Sequence, residues 1–329
     1  MNKKILIWNL YILRGFACLL ASTMLVCSCT PIIKAADIKW VDFDVTSSAL
    51  TDAMRIDVET HDSARPIDWI ELLSALAVKY GGDFARYKKE DLTTLAKAYT
   101  EGSTFVELAK NEKLFRYYEA AYGAILDGML GEYTEISQDG TITEGYGLIA
   151  FSPVAAGYYY NHYDDFGASR SYGYKRHHLG HDLMGSVGTP IIAVEAGYVE
   201  ACGWNQYGGW RIGIRSFDGK RYYYYAHLRK NHPYCDMYEG KIVDAGEVIG
   251  YLGMTGYSTK ENTNNINVPH LHYGLQLIFK PEQKDGYNQI WIDMYALTQF
   301  LAANKSTVNK GTDGEYHAKS VRIPKNARD

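Results

Sequence analysis

Apolar residues recur at two different periods along this 329-residue chain, and the change of period divides it. From about residue 47 to 133 they fall at helical spacing. The segment DSARPIDWIELLSALAVKYGG (62–82) offers Asp62 or Ser63 as a cap, Pro66 near a first turn, and Gly81-Gly82 as a stop. KEDLTTLAKAY and TFVELAKNEKLFRYYEAAYGAILDGML continue the pattern, which predicts three or four helices. EISQDGTITEGYG (135–147) is polar and reads as a linker. Beyond it the pattern becomes that of short strands. TPIIAVEAGYVEACGW reads as strands around Gly197, and WRIGIRSFDGKRYYYYAHL as a hairpin turning at Asp218-Gly219. GKIVDAGEVIGYLGMTG adds two more strands. In PHLHYGLQLIF, His270, His272, Gly274 and Gln276 share one face, and Leu271, Tyr273, Leu275 and Leu277 share the other. IWIDMYALTQFLAAN reads as a closing helix, and residues 305–329 lack periodicity. The expected architecture is α+β. A small helical domain over 37–135 precedes an antiparallel β-sandwich or open barrel over 145–303, and 304–329 form a flexible tail.

Composition adds to this picture. Hydrophobic residues make up 47% of the chain, enough for a sizeable core. Tyr outnumbers Phe by 29 to 10, which suits half-buried sheets and wet grooves. Residues 1–36 carry Lys3, Lys4, Arg14 and Lys34 and no acidic residue, leaving 30 basic and 38 acidic residues in the remainder. That balance argues against a nucleic-acid binder, which needs a basic face. GFACLLASTMLVCSCTPII, 19 residues without a charge, follows the basic cluster and reads as a signal peptide or membrane anchor. VCSC, ending at Cys29, loosely matches a lipoprotein cleavage box, so an uncleaved anchor, a cleaved signal and a lipoprotein stay open. The body of the chain would then be extracytoplasmic, tethered or secreted. Outside the segment stand only Cys202 and Cys235, which are too few for a disulfide framework or a Cys-zinc module. They can form one bridge or stay free.

Most of the ten His lie in the β-rich region. HHLGHD places His178 and Asp182 four apart, YYAHL places His227 after the hairpin, and PHLH holds His270 and His272. Zinc accepts imidazole nitrogen and carboxylate oxygen, and catalytic sites use three protein ligands. In a straight strand, positions i and i+4 stand roughly 13 Å apart, so His178 and Asp182 can share an ion only if the chain bends, and Gly180 marks where it can. No HExxH is present. Histidines in Tyr-rich sheets also serve as hydrogen-bonded structural groups, so the spacing alone leaves both readings open.

The ordered set HLGHD, YYAHL, GMTGYST and PHLHYG, with GTPIIAVEAGYVE soon after the Asp, resembles the lysostaphin/LytM-type zinc metallopeptidases over roughly residues 145–300. The resemblance implies zinc ligands at His178, Asp182 and His272 and catalytic histidines at His227 and His270. It implies an endopeptidase that cuts stem or cross-bridge peptides of bacterial peptidoglycan with a zinc-activated water. The chain departs from the family's usual pattern in several places. His181 sits inside the first motif, and His177 precedes it. The loop KENTNNINV is longer, and Gly274 stands where Glu is common. Arg170 occupies a position where these enzymes often carry an Arg, which suggests a groove or ligand-supporting role. Tyr223 and Tyr225 share the parity of His227, which makes them candidates for the groove or for sheet packing. The other readings are a catalytically inactive peptidoglycan-binding or scaffolding protein of the same fold, and a zinc hydrolase of a different exported peptide.

Overall fold

The structure, a computed structural model, describes residues 38–325 apart from 42, 173 and 285, so the expected export segment lies outside the described residues. The helical region yields α1 Ser47–Thr60, α2 Trp69–Tyr80, a 3-10 turn Phe84–Arg86, α3 Lys89–Thr100, α4 Phe105–Ala109 and α5 Glu112–Leu126. Helix α2 starts later than the sequence suggests. Its cap is Asp68, whose side chain accepts from the Glu71 N–H at 2.9 Å, while Asp57 accepts from the Trp69 N–H at 2.9 Å. Pro66 disfavours helical backbone at Arg65, so neither Asp62 nor Ser63 opens the helix. Gly81 ends it with φ +68, the left-handed conformation in which glycine has no Cβ penalty. A capping box joins Thr104 and Glu107 at the start of α4.

The strands are β1 Leu130–Ser137, β2 Ile142–Leu148, β3 Tyr160–Tyr163, β4 Ser169–Tyr172, β5 Tyr174–His177, β6 His181–Gly185, β7 Pro190–Ile192, β8 Gly197–Asn205 and β9 Gly209–Ser216. They continue as β10 Arg221–Ala226, β11 Ile242–Val243, β12 Val248–Tyr251, β13 His270–Leu277 and β14 Ile290–Ile292. Helices α6 Pro281–Lys284 and α7 Tyr295–Leu301 flank β14, and β15 Val308–Lys310, β16 Tyr316–Ala318 and β17 Ser320–Pro324 follow. The main sheet is antiparallel in the order β11-β8-β9-β10-β13-β6-β3, and β14 also pairs with β13. It does not close, since β11 and β3 are its outer strands. The β9–β10 hairpin turns at Asp218-Gly219, where Gly219 has φ +74.

Two segments depart from expectation. Residues 135–147 are not a linker but most of a hairpin, β1 paired with β2 from Leu130↔Leu148 to Ile136↔Ile142. Asp139-Gly140 supplies the turn, with Gly140 at φ +86 and Asp139 accepting from the Thr141 N–H. Residues 305–325 are not a flexible tail. β15 and β16 form a hairpin, and β17 covers the free edge of β1 from Tyr133↔Pro324 to Ser137↔Ser320. Arg322 pairs with Glu135 at 2.8 Å and lies over the Tyr133 ring at 4.6 Å, giving this polar strand its own anchor.

Helices and main sheet share one buried core. Leu72, Leu73, Leu76, Phe115, Tyr122 and Ile125 belong to the same cluster as Tyr223, Tyr225, Leu275 and Leu277. Trp69 meets Phe300 across the junction, with ring centroids 6.0 Å apart. From Ile38 onward the chain is one compact unit. A buried ion pair reinforces the seam. Arg221 forks onto Glu195 at 2.8 Å through both Nε and Nη2 and reaches the Ala124 carbonyl at 3.3 Å, and the Tyr223 hydroxyl donates to Glu195 at 2.7 Å. Cys202 and Cys235 are free thiols.

Candidate metal centre and groove

Strand alternation lays out the site. On β13, Leu271, Tyr273, Leu275 and Leu277 are fully buried in the core, which turns His270, His272, Gly274 and Gln276 to the other face. Register sets Asp182 of β6 beside His272 on one side and Ala226 of β10 beside it on the other. His178 arrives from the loop before β6. Its Nε2 lies 2.8 Å from His272 Nδ1 and 3.1 Å from Asp182 Oδ1, and His272 Nδ1 lies 3.0 Å from the same oxygen. Gly180 makes this approach fit by space rather than by an unusual backbone. A Cβ there would stand 2.5 Å from His272 Cε1 and 2.9 Å from the Tyr273 carbonyl oxygen.

The three donor atoms fit a metal cation on chemical grounds. A carboxylate oxygen only accepts hydrogen bonds. If both imidazole nitrogens donate to it, two N–H groups face each other at 2.8 Å. If either nitrogen accepts, its lone pair faces the carboxylate. No proton arrangement satisfies all three contacts, whereas a cation among them does. Two imidazoles and one carboxylate suit zinc, with bond lengths of about 2.0–2.2 Å and an open fourth position. Burial opposes ionisation of Asp182, but hydrogen bonds from His178 and His272 outweigh it and hold the carboxyl well below its ordinary range. Behind His178 stands Asp165, whose Oδ1 lies 2.9 Å from His178 Nδ1, and Arg170 pairs with the other carboxylate oxygen. A carboxylate on the far nitrogen orients a ligand imidazole and raises its basicity. The sequence reading missed Asp165. The acidic pair Asp164-Asp165, shortly before Arg170, was the available signal, but nothing in its spacing ties it to His178.

His227 and His270 flank the triangle, with ring centroids 4.8 Å apart. His227 Nδ1 lies 2.8 Å from the Thr255 carbonyl oxygen, and His270 Nδ1 lies 2.8 Å from that of Val268. A carbonyl oxygen only accepts, so each Nδ1 carries the proton and donates. In the neutral rings both Nε2 atoms are left as bases. Burial, then the neighbouring His270 and His272, pushes the pKa of His227 down to about 3, so it is neutral at physiological pH. His270 Nε2 is 3.8 Å from Asp182 Oδ2. His227 has φ +61, a conformation disfavoured for residues with a Cβ and concentrated at functional sites. That turn breaks the strand alternation. Tyr223 and Tyr225 are therefore buried in the core, and Tyr222 and Tyr224 line the groove.

The groove has a volume of about 720 Å³ and is lined by His178, Asp182, His227, His270 and His272 together with Arg170, Tyr224 and Trp291. His181 faces the other way. It is buried, its Nε2 meets His162 Nδ1 at 2.8 Å, and burial followed by His162 lowers its pKa to about 4. His177 contacts the Gly167 carbonyl at 2.8 Å and lines the groove rim.

Over residues 176–285 the chain matches the family model for Peptidase family M23. It is 34% identical over 194 residues to the L-Ala–D-Glu endopeptidase of Bacillus subtilis (strain 168), a match covering 53% of this chain and 58% of that relative. Against lysostaphin of Staphylococcus simulans it is 38% identical over 97 residues, 29% of this chain and 17% of that protein. The chain thus spans less than two thirds of the length of these relatives. A candidate glycyl-glycine endopeptidase lytM from Ruminococcus gnavus ATCC 29149 superimposes with a TM-score of 0.52 at 22% identity, covering 82% of this chain and 93% of that one, a likeness of fold alone. Sequence match and donor geometry meet in the same segment, and residues 176–285 are a domain of peptidase family M23.

Proposed function

We propose that the protein is a zinc endopeptidase that cuts peptides of bacterial peptidoglycan outside the cytoplasm. The observation that carries the reading is the donor triangle of His178, Asp182 and His272, flanked by two histidines whose Nδ1 atoms are held by backbone carbonyls. Bound in the triangle, zinc supplies Lewis acidity and makes water a nucleophile near neutral pH. Asp165 holds His178 in place, and the β6–β13 register holds Asp182 beside His272. His270 and His227 each present a basic Nε2 to the groove. One takes a proton from the attacking water and then passes that same proton to the leaving amine, while the other orients the water by accepting a hydrogen bond from it. The fixed tautomers keep both nitrogens available, and pairing of β13 with β6 at Met184 keeps His270 from drifting.

The substrate class draws support from the relatives, whose names include an L-Ala–D-Glu endopeptidase and lysostaphin. The uncharged run after Lys3, Lys4 and Arg14 supports export, and leaves a membrane anchor and a cleaved signal as alternatives. The test measures zinc content and the new amine termini released from purified peptidoglycan by the full chain and by His272→Ala. About one zinc per chain, with termini released by the unsubstituted protein only, supports the reading. Zinc without cleavage favours a scaffold, and no zinc overturns the assignment.

A further inference from the structure

We infer that the groove beside the donor triangle holds a carboxylate subsite, in which Arg211 receives an acidic group of the peptide close to the bond that is cut, with Arg176 adding positive charge to the same lining. The inference rests on the endopeptidase reading and narrows its substrate class.

Five cations line the groove, and three are already matched. Arg170 pairs with Asp165, while Arg215 and Lys284 both hold Glu200, Arg215 through a fork at 2.9 and 3.0 Å and Lys284 at 3.0 Å. Arg211 and Arg176 have no carboxylate partner among the described residues. Arg176 is fixed over two aromatic faces, 5.2 Å from the Tyr207 centroid and 5.0 Å from that of Tyr257. Its Nη1 is buried without a hydrogen-bond partner. The same holds for Nη1 of Arg215, a residue only 2% exposed. Buried guanidinium N–H groups without acceptors are costly, and both belong to side chains that line the groove and add to its positive charge. Only Asp182 and Glu200 oppose these cations in the groove lining, and both are already hydrogen-bonded.

Strand register gives the spacing. β9 presents Arg211 and Arg215 on the groove side, because Ile212 and Ile214 are buried in the core. β10 separates β9 from β13, so Arg211 lies two strands from His272, about 10 Å at the usual interstrand spacing. An extended peptide covers that distance in about three residues. A carboxylate held by Arg211 therefore belongs to a residue next to, or very near, the reacting bond. An uncharged glycyl-glycine bridge offers nothing to this subsite, whereas a stem peptide with a free glutamate carboxylate does.

The test uses matched peptides, L-Ala-γ-D-Glu-L-Lys with the α-carboxylate of the D-Glu residue free or amidated, and pentaglycine. Two quantities are read on the zinc-loaded full chain: the acid-to-amide ratio of kcat/KM and the acid-to-amide ratio of equilibrium binding. Binding is also read without zinc. Ratios do not depend on the fraction of protein that is folded. The expected preference for the acid is about 10- to 100-fold, the range of a charge-assisted hydrogen bond. It collapses in Arg211→Gln and returns in part in Arg211→Lys. Equal handling of acid and amide by the unsubstituted chain, binding of neither, or an undiminished preference in Arg211→Gln overturns the inference. If no peptide and no purified peptidoglycan is cut, the endopeptidase reading fails, and the binding ratio still decides the subsite.

Discussion

Gly180→Ala tests the geometry of the donor triangle without touching a donor. The added Cβ would stand 2.5 Å from His272 Cε1 and 2.6 Å from Nε2. Carbon contacts settle at about 3.5 Å or more, so something must move by about 1 Å. The His272 backbone cannot yield, because β13 is paired on both sides, and the Tyr273 carbonyl oxygen blocks the Cβ at 2.9 Å from another direction. Either the His272 ring rotates or residues 178–180 retreat and take His178 with them. Metal sites tolerate errors of about 0.2 Å in ligand distance, so a 1 Å shift effectively removes one of three protein ligands. We expect zinc affinity to fall by about 100-fold or more. At a zinc concentration 100 times the original Kd, binding stabilises the unsubstituted protein by about 2.7 kcal/mol; a 100-fold weaker site leaves about 0.4 kcal/mol. In a chain of this size, with an unfolding entropy of about 2.1 cal/mol/K per residue, the zinc-induced rise in Tm shrinks from about 4 °C to about 0.6 °C. The assay is competition with a chromogenic chelator, with thermal melts with and without zinc. A Gly180→Ala protein that binds zinc with unchanged affinity refutes the reasoning.

Asp165→Asn should weaken zinc binding by about 10- to 100-fold in the same competition assay, because His178 loses its carboxylate partner; unchanged affinity would reduce Asp165 to a loop residue. Arg221→Met should cost about 3–5 kcal/mol in urea unfolding by leaving Glu195 buried and unpaired, and the double variant Glu195→Leu/Arg221→Met should cost less than either single change. An additive double variant would show that the pair is not coupled. Truncation after residue 304 removes β17 from the edge of β1 and the Ser306 hydroxyl from the Gly246 carbonyl, and should lower Tm by several degrees and promote association through the bared edge. An unaltered Tm and a monomeric elution profile would contradict the structure. His227→Ala and His270→Ala should each lose about 100- to 10,000-fold in kcat while keeping zinc content, unlike substitutions at His178, Asp182 or His272. Loss of zinc in the first two would place them among the metal ligands instead.

The parts of the site that follow strand parity were legible in the sequence. His270 and His272 share a face because successive residues alternate, and the hairpin turn at Asp218-Gly219 set β10 beside β9. The five residues predicted from spacing and resemblance do converge in one groove. Parity failed at His227, whose left-handed backbone sent Tyr223 and Tyr225 into the core, and a one-residue deviation of this kind has no apolar signature. Asp165 and Arg211 were invisible because their roles come from tertiary neighbours rather than spacing. The tail and the linker were misread for another reason. β17 is held by Arg322 and backbone pairing more than by buried apolar groups, and the β1–β2 hairpin leaves Ile142 exposed, so hydrophobic period carried little information about either. The Asp139-Gly140 turn was present in EISQDGTITEGYG but was outweighed by its polarity.

The shared core decides how sequence change reaches the groove. Leu72, Phe115 and Ile125 lie in helices and do not line the groove, yet they are buried in the same cluster as the tyrosines beneath it. In a random-mutagenesis screen scored by the proposed activity alone, such positions would register as essential and draw a false map of the candidate site. Scoring each variant for abundance as well as for turnover separates the two populations. The helical half should then emerge as a determinant of how much protein persists, and the β6, β10 and β13 face as a determinant of what it does.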